Sequence, residues 1–165
     1  MKTTQSILLV EDDATDIFFL RTALTAAGLS DLLHLAEDVQ RARHYLAGVG
    51  EYGNREQYPL PDLVLLDVKL PGVTGLEILR WMRQQPALDT VAIIVLTTSC
   101  EASDIRTAFR LRANSYLVKP GDADEMRIMV ETMAHYWLRL NQPTASARSA
   151  RLELATPSLQ GSRLA

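Results

Sequence analysis

Several polar side chains follow directly on short apolar runs of this chain. Glu11 and Asp12 follow ILLV, Asp67 follows LVLL, Thr97 follows AIIVL and Lys119 follows YLV. Carboxylates that gather at one place repel one another and need a compensating cation or a shared proton. Oxygen ligands without His or Cys favour Mg²⁺ or Ca²⁺ over zinc, and a site with few carboxylates suits Mg²⁺ best. A lysine and a hydroxyl beside them fit an incoming phosphoryl group, so the set predicts phosphoryl transfer to a carboxylate.

The elements that must position these residues form a repeating pattern. The runs at 7–10, 63–66 and 91–96 are apolar on both faces, which is typical of parallel strands covered on both sides. Weaker runs at 32–36 and 115–118 complete five strand candidates. Helical periodicity separates them at 16–27, 39–47, 75–83, 103–112 and 123–140. This alternation predicts an α/β fold, a doubly wound five-stranded parallel sheet with helices on both faces.

The order of the strands decides which side chains meet. In open parallel sheets the ligand crevice lies at the carboxyl ends of the strands, where the strand order reverses. With the order 2-1-3-4-5, that point falls between the first and third strands. Glu11, Asp12 and Asp67 would then lie together.

A structural interpretation competes at each single position. An acid at a strand end often caps the next helix, and Lys119-Pro120 alone is often a turn. The functional hypothesis therefore depends on the coincidence of five polar residues at the ends of four strands. We assign Asp13 to helix capping, with Asp16 placed to favour the helix N-terminus.

The composition limits the function classes. Of 165 residues, 47% are hydrophobic and 22% charged, with a formal net charge of -3, so bulk charge does not indicate a nucleic-acid binder. No apolar run approaches the roughly 18 residues of a membrane span. Cys100 is the single cysteine, so we expect a cytoplasmic protein without an internal disulfide.

The chain divides near residue 140. Residues 141–165 show no sustained period and carry three arginines against one glutamate, whereas residues 1–140 carry 14 basic and 19 acidic side chains. We expect one domain over 1–140 and a basic C-terminal tail over 141–165. The connection over 48–61 is rich in turn formers and is predicted to be an excursion rather than a sixth element.

Four stretches of the sequence, "ILLVEDD", "PDLVLLDVKLPGVTGLEIL", "IIVLTTS" and "NSYLVKP", resemble a CheY-like receiver domain of two-component response regulators, which has the flavodoxin-like architecture. The resemblance covers about residues 6–140. By position it implies that Asp67 is the phosphoacceptor and that Lys119 is the amine that binds the phosphoryl group. Around Mg²⁺ it implies Asp12 as the direct ligand, Glu11 as a second acid acting through water and the backbone carbonyl of Lys69 as a third protein ligand. It implies that Thr97 is the switch hydroxyl and Tyr116 its aromatic partner. It also implies a cis bond between Lys119 and Pro120.

The resemblance implies a partner as well as a site. A sensor histidine kinase would donate the phosphoryl group in a Mg²⁺-dependent reaction, and the protein would signal by contact or by onward transfer. Such a domain is a switch rather than an enzyme, since it catalyses only its own phosphorylation and dephosphorylation. The insertion over 48–61 and a chain that ends soon after the domain are similar to single-domain regulators paired with bacterial phytochromes.

Three positions depart from the family pattern. Arg112 stands where glycine commonly ends a helix, so either the helix ends differently or Asn114 takes the turn. Gly121 replaces a bulky apolar residue, and Val39 replaces a common glycine. None of them belongs to the acceptor site.

Two other function classes share part of this pattern. An aspartate-nucleophile phosphatase of the haloacid dehalogenase type also uses Asp, Thr, Lys and Mg²⁺, but it needs a second Asp where Lys69 stands. A nucleotide-binding module needs a glycine-rich loop after the first strand, and "EDDATD" would repel phosphate.

The last predicted helix carries more apolar residues than one core face needs. We expect a homodimer through this helix, with the tail reaching the partner. The predicted interface residues are Met133, Tyr136, Trp137 and Leu140.

Overall fold

The computed structural model describes residues 5–142, and the structural statements below refer to that part of the chain. Its centre is a sheet of five parallel strands, ordered β2-β1-β3-β4-β5. The strands are β1 (Ile7–Val10), β2 (Leu33–Ala36), β3 (Leu63–Leu66), β4 (Ala92–Thr97) and β5 (Ser115–Val118). The predicted fold class and strand order are confirmed.

Five helices alternate with the strands. They are α1 (Ala14–Ala26), α2 (Val39–Ala47), α3 (Gly75–Gln84), α4 (Ala102–Arg110) and α5 (Ala123–His135), and α5 continues into a π-helical turn, Tyr136–Leu140. Helix α1 begins at Ala14 because the Asp13 carboxylate accepts hydrogen bonds from the backbone N–H groups of Thr15 and Asp16. The predicted capping role of Asp13 is confirmed.

The core forms two layers, one on each face of the sheet. Alternate residues of a strand point to opposite faces, so Leu8 and Val10 of β1 join one layer and Ile7 and Leu9 the other. Helices α2, α3 and α4 cover the first layer, and helices α1 and α5 cover the second. Strands β1 and β3 are buried along their whole length and β4 from Ile93 onward, whereas the edge strands β2 and β5 are only partly buried.

The connection over 48–61 contains only a short 3-10 turn, Gly50–Gly53, as expected of an excursion. Arg55 anchors it by donating hydrogen bonds to the carbonyls of Tyr45 and Leu46, at the C-terminal end of α2, each at 2.8 Å. Gly48 adopts a φ of +69° there, and a Cβ at this position would lie 2.9 Å from the Arg55 guanidinium. The insertion is therefore fastened to the body of the domain.

Helix α4 does not end as expected. Arg112 itself takes the left-handed conformation, with φ of 66°, instead of passing the turn to Asn114. The N–H of Ala113 donates to Ala108 and that of Arg112 to Phe109, the two hydrogen bonds of a Schellman motif. The carbonyl of Arg112 accepts two hydrogen bonds from the Arg83 guanidinium, at 3.0 and 3.1 Å, which holds this conformation in place.

The end of α5 corrects one predicted interface residue. Met133 is 5% exposed and packs into the core against the sheet, so it is not available to a partner. Tyr136 and Leu140 are 50% and 58% exposed, and Trp137 is partly buried. The predicted tail, apart from Asn141 and Gln142, lies outside the described residues.

No helix among residues 5–142 has the length and apolar character needed to cross a membrane.

Candidate functional site

The carboxyl edge of the sheet brings together side chains from four strand ends. Glu11 follows β1, Asp67 follows β3, Thr97 ends β4 and Lys119 follows β5. Backbone hydrogen bonds continue the sheet past the strands, from the N–H of Asp67 to Val10 and from that of Lys119 to the carbonyl of Thr97. The positions of these side chains are thus fixed by the sheet, as the sequence predicts.

The Lys119 ammonium is the centre of the site. Its Nζ lies 2.5 Å from Glu11 Oε2, 2.7 Å from Asp16 Oδ2 and 2.9 Å from Asp67 Oδ2. Burial alone would lower the pKa of Lys119, but hydrogen bonds to Asp16, Glu11 and Asp67 outweigh it and raise the pKa above its ordinary value. The amine is therefore held firmly in its charged form.

Asp67 is a buried carboxylate that stays ionised. Burial works to raise its pKa, yet hydrogen bonds from the Thr97 hydroxyl, the Lys119 ammonium and the Lys69 backbone N–H together hold the pKa below its usual value. The Lys69 N–H donates to Oδ1 at 3.0 Å and Lys119 to Oδ2. Asp67 is thus an ionised oxygen nucleophile with both oxygens oriented.

Glu11 behaves in the opposite way. Burial raises its pKa to about 7, because the loss of hydration outweighs the hydrogen bond from Lys119. Its Oε1 accepts hydrogen bonds from the backbone N–H groups of Asp12 and Asp13, both at 3.1 Å. Glu11 is therefore the carboxylate of the site that depends most on a neighbouring cation to stay ionised.

The third carboxylate of the group is Asp16, not Asp12. Carboxylate oxygens of Glu11, Asp16 and Asp67 lie within 4.8 Å of one another, whereas Asp12 is exposed and is not part of this group. The exposed position follows from the turn into α1, where Glu11 folds back onto the N–H of Asp12. The sequence pattern assigns Asp16 only to the helix N-terminus, yet only three residues separate the first turn of α1 from the end of β1, which brings Asp16 to the site.

The donor set fits a hard divalent cation. The three clustered carboxylates supply oxygen atoms alone and, with one ammonium, carry an excess of negative charge when ionised. Mg²⁺ and Mn²⁺ accept such ligands, and zinc would prefer nitrogen or sulfur. The residues present are therefore compatible with the predicted metal.

Gly75, which sequence reasoning missed, supports the acceptor loop. A Cβ at this first residue of α3 would lie 1.8 Å from the backbone oxygen of Asp67, and the Gly75 N–H donates to Val68 at 2.9 Å. Two backbone segments meet here with no room for a side chain. The signal in the sequence is a glycine at a helix start, where glycine is not a favoured residue.

The predicted switch residues lie beside the site. Tyr116 is partly buried, and its hydroxyl donates to the carbonyl of Ser99 at 3.0 Å. The Ser99 hydroxyl in turn donates a hydrogen bond to the Asp104 carboxylate of α4 at 2.6 Å.

The described residues contain no cis peptide bond, so the expected cis bond between Lys119 and Pro120 is wrong for this structure. The trans isomer is the lower in energy for a bond to proline.

Comparisons with known proteins agree with this geometry. The model of the response regulator receiver domain matches residues 7–131. The probable methanogenesis regulatory protein FilR2 of Methanothrix harundinacea is 35% identical over 141 residues, which cover 86% of this chain and 88% of that protein. The response regulator Rcp1 of Synechocystis sp. is 34% identical over 132 residues, which cover 80% and 88%.

Solved structures give the same result. The Mn²⁺-bound form of Rcp1 superposes with a TM-score of 0.75 and 33% identity, covering 86% of this chain and 99% of that one. The phosphorylated cyanobacterial phytochrome response regulator RcpA has a TM-score of 0.79 and 30% identity, covering 87% and 100%. These relatives lend no support to the haloacid dehalogenase alternative. This chain belongs to the response regulator receiver domain family of two-component systems.

Proposed function

We propose that Asp67 is the phosphoacceptor of this receiver domain and that the domain is a switch controlled by its phosphorylation. The observation that carries the proposal is the state of Asp67: it is 6% exposed, held ionised, and bonded to both Thr97 and Lys119. A buried carboxylate that keeps its charge beside a fixed ammonium suits nucleophilic attack on phosphorus.

The transfer step follows from these groups. An oxygen of Asp67 forms a bond to phosphorus while the bond between phosphorus and the kinase histidine nitrogen breaks, and that nitrogen keeps the electron pair. Lys119 and the Thr97 hydroxyl bind the phosphoryl oxygens as charge moves onto them. Glu11 and Asp67 would hold Mg²⁺ with the Lys69 carbonyl and with Asp12, which is next to Glu11 in the chain although its carboxylate lies outside the cluster of Glu11, Asp16 and Asp67 in this structure. The metal would supply charge neutralisation at the phosphoryl group. The domain thereby catalyses only its own phosphorylation and dephosphorylation.

A change at Asp67 reaches the surface through Thr97 and Tyr116. The Thr97 hydroxyl now bonds to the Asp67 carboxylate, so a phosphoryl group there must redirect it. Tyr116 would then leave the Ser99 carbonyl and move inward behind Thr97. Because Ser99 is also bonded to Asp104, this shift would alter the start of α4 and so the surface that a target protein reads.

The donor in our proposal is a cytoplasmic sensor histidine kinase of the bacteriophytochrome type. RcpA is described as a phytochrome response regulator, and its structure covers 87% of this chain. Phe18 and Phe19 of α1 are 64% and 40% exposed, and they follow the site residue Asp16 by two and three positions. Their ring centroids lie 5.7 Å apart, so they form an exposed apolar surface on α1. Such a surface suits a protein partner that must present its histidine to Asp67.

We also propose a homodimer through the end of α5, with the tail over 141–165 as an arm. The exposed side chains of Tyr136 and Leu140 support this assembly, together with Trp137, whose ring packs edge-on against Tyr136 at 5.1 Å. Tyr136 and Leu140 lie at the end of a helix and keep at least half of their surface exposed within the described chain.

The phosphoacceptor is tested by labelling with acetyl phosphate and Mg²⁺. Wild-type protein should gain one phosphoryl group, and Asp67→Asn should gain none, because an amide is not a nucleophile of this kind. Asp31→Asn, at an exposed acid away from the site, is the matched control and should label like wild type. Unchanged labelling of Asp67→Asn would remove the proposal.

A further inference from the structure

We propose that Asp16 is a positioning residue that holds Lys119 until a phosphoryl oxygen replaces it. The inference rests on the proposed function of Asp67 and adds a residue that neither the sequence motifs nor the family resemblance assigns to the site. Its starting observation is the bond of 2.7 Å between Asp16 Oδ2 and Lys119 Nζ.

The position of Asp16 is built into the fold. It lies in the first turn of α1, where its own N–H donates to the Asp13 carboxylate at 2.9 Å, and the N–H of Ile17 donates to the Asp13 carbonyl at 2.9 Å. These bonds fix the helix start directly over the carboxyl edge of the sheet. The Asp16 side chain therefore reaches Lys119 from a rigid base.

Lys119 has no spare donor in this arrangement. An ammonium carries three N–H groups, and Glu11, Asp16 and Asp67 each accept from it. A phosphoryl oxygen that binds Lys119 must therefore take the place of an existing partner, unless it shares a proton with one.

The burial of the three carboxylates indicates which of them Lys119 releases when a phosphoryl oxygen binds. The side chain of Glu11 is 1% exposed, so losing its cation would leave a buried carboxylate unpaired. Asp67 is the group that carries the phosphoryl. The Asp16 side chain is 27% exposed, and water can solvate it once it leaves Lys119. Asp16 is thus the least costly partner to give up.

Two opposite effects follow for Asp16→Asn. Loss of a negative charge from the carboxylate group weakens the binding of Mg²⁺. The same loss frees Lys119 and removes repulsion against an incoming anion, which strengthens the binding of a phosphoryl analogue. If Asp16 had only a structural role, its substitution would weaken the binding of both Mg²⁺ and the phosphoryl analogue, or would change neither.

The experiment measures two affinities on the full chain. Mg²⁺ binding is titrated alone, and beryllium trifluoride binding is then titrated at saturating Mg²⁺ for each variant. For Asp16→Asn we expect Mg²⁺ to bind roughly three- to tenfold more weakly and beryllium trifluoride to bind roughly three- to tenfold more tightly. Asp124→Asn, an acid in the first turn of α5, is the matched control and should change neither affinity.

A second variant separates charge from folding. Asp16→Glu keeps the carboxylate and should restore Mg²⁺ affinity towards the wild-type value. Unchanged or weaker beryllium trifluoride binding by a folded Asp16→Asn overturns the inference while leaving the proposed function intact. If wild-type protein itself binds no beryllium trifluoride with Mg²⁺, the proposed function fails and the inference fails with it.

Discussion

Asp67 and Glu11 are both buried carboxylates, yet their pKa values move in opposite directions. Asp67 is held ionised by Thr97, Lys119 and a backbone N–H, whereas burial dominates for Glu11 and raises its pKa to about 7. The difference separates their chemistry at the residue scale. Asp67 is ready to attack phosphorus, whereas Glu11 depends on a neighbouring cation to stay ionised.

Gly75 gives a test of the acceptor loop at the same scale. Gly75→Ala places a methyl group against the Asp67 carbonyl, so α3 or the loop must move, and we expect a loss of about 3 kcal/mol of unfolding free energy. Gly121→Ala is the control, because a Cβ there meets nothing within 4 Å. Its effect should stay within about 0.5 kcal/mol in urea unfolding. Equal losses for the two variants would contradict the close approach.

The sequence predicts only those site residues whose position is determined by the end of a strand. Glu11, Asp67 and Lys119 each follow a strand, and the carboxyl ends of parallel strands share one edge. Asp16 enters from a helix, and the direction of its side chain depends on how α1 packs over the sheet, which periodicity does not define. The contact of Gly75 with Asp67 joins two loops and leaves no periodic signal.

At the scale of elements, the strands and helices follow the sequence closely because their signals are local. The strands over 7–10, 63–66 and 115–118 have the predicted bounds, since apolar runs bordered by polar residues define them. The end of α4 does not follow from propensity. Arg112 is left-handed because Arg83 holds its carbonyl from a different helix, a tertiary contact that overrides the local preference.

Arg112→Gly tests that explanation. Glycine adopts a positive φ without the cost that arginine bears, while the exposed ion pair between Arg112 and Asp89 contributes little. We expect a gain of about 0.5–1 kcal/mol in unfolding free energy, measured by thermal or urea denaturation. Arg106→Gly, in the middle of α4, should instead lose about 1 kcal/mol. A loss in both variants would show that the Arg112 side chain outweighs its backbone strain.

At the scale of the whole molecule, the domain presents two separate exposed apolar regions. Phe18 and Phe19 lie on α1, and Tyr136 and Leu140 lie at the end of α5. Helices α1 and α5 pack against the same face of the sheet, and both begin at its carboxyl edge, α1 shortly after Glu11 and α5 shortly after Lys119. Phe18 and Phe19 lie near that beginning of α1, whereas Tyr136 and Leu140 lie at the opposite end of α5. In our account a kinase uses the first region and a second copy of the chain uses the other.

Light scattering tests the proposed homodimer by measuring its mass in solution. We expect wild-type protein at tens of micromolar to have twice the mass of one chain, and the double variant Tyr136→Ser, Leu140→Ser to have the mass of a monomer. Val49→Ser removes an apolar side chain of similar exposure elsewhere and should remain a dimer. A wild-type monomer at this concentration would rule the assembly out.

Chemical trapping locates the phosphoryl group on the chain. Protein treated with acetyl phosphate and Mg²⁺ is reduced with borohydride, which converts an aspartyl phosphate to homoserine, and the peptides are sequenced by mass spectrometry. We predict homoserine at position 67 and nowhere else. Homoserine at another acidic position, or unmodified Asp67 in a protein that has taken up phosphate, would contradict the account.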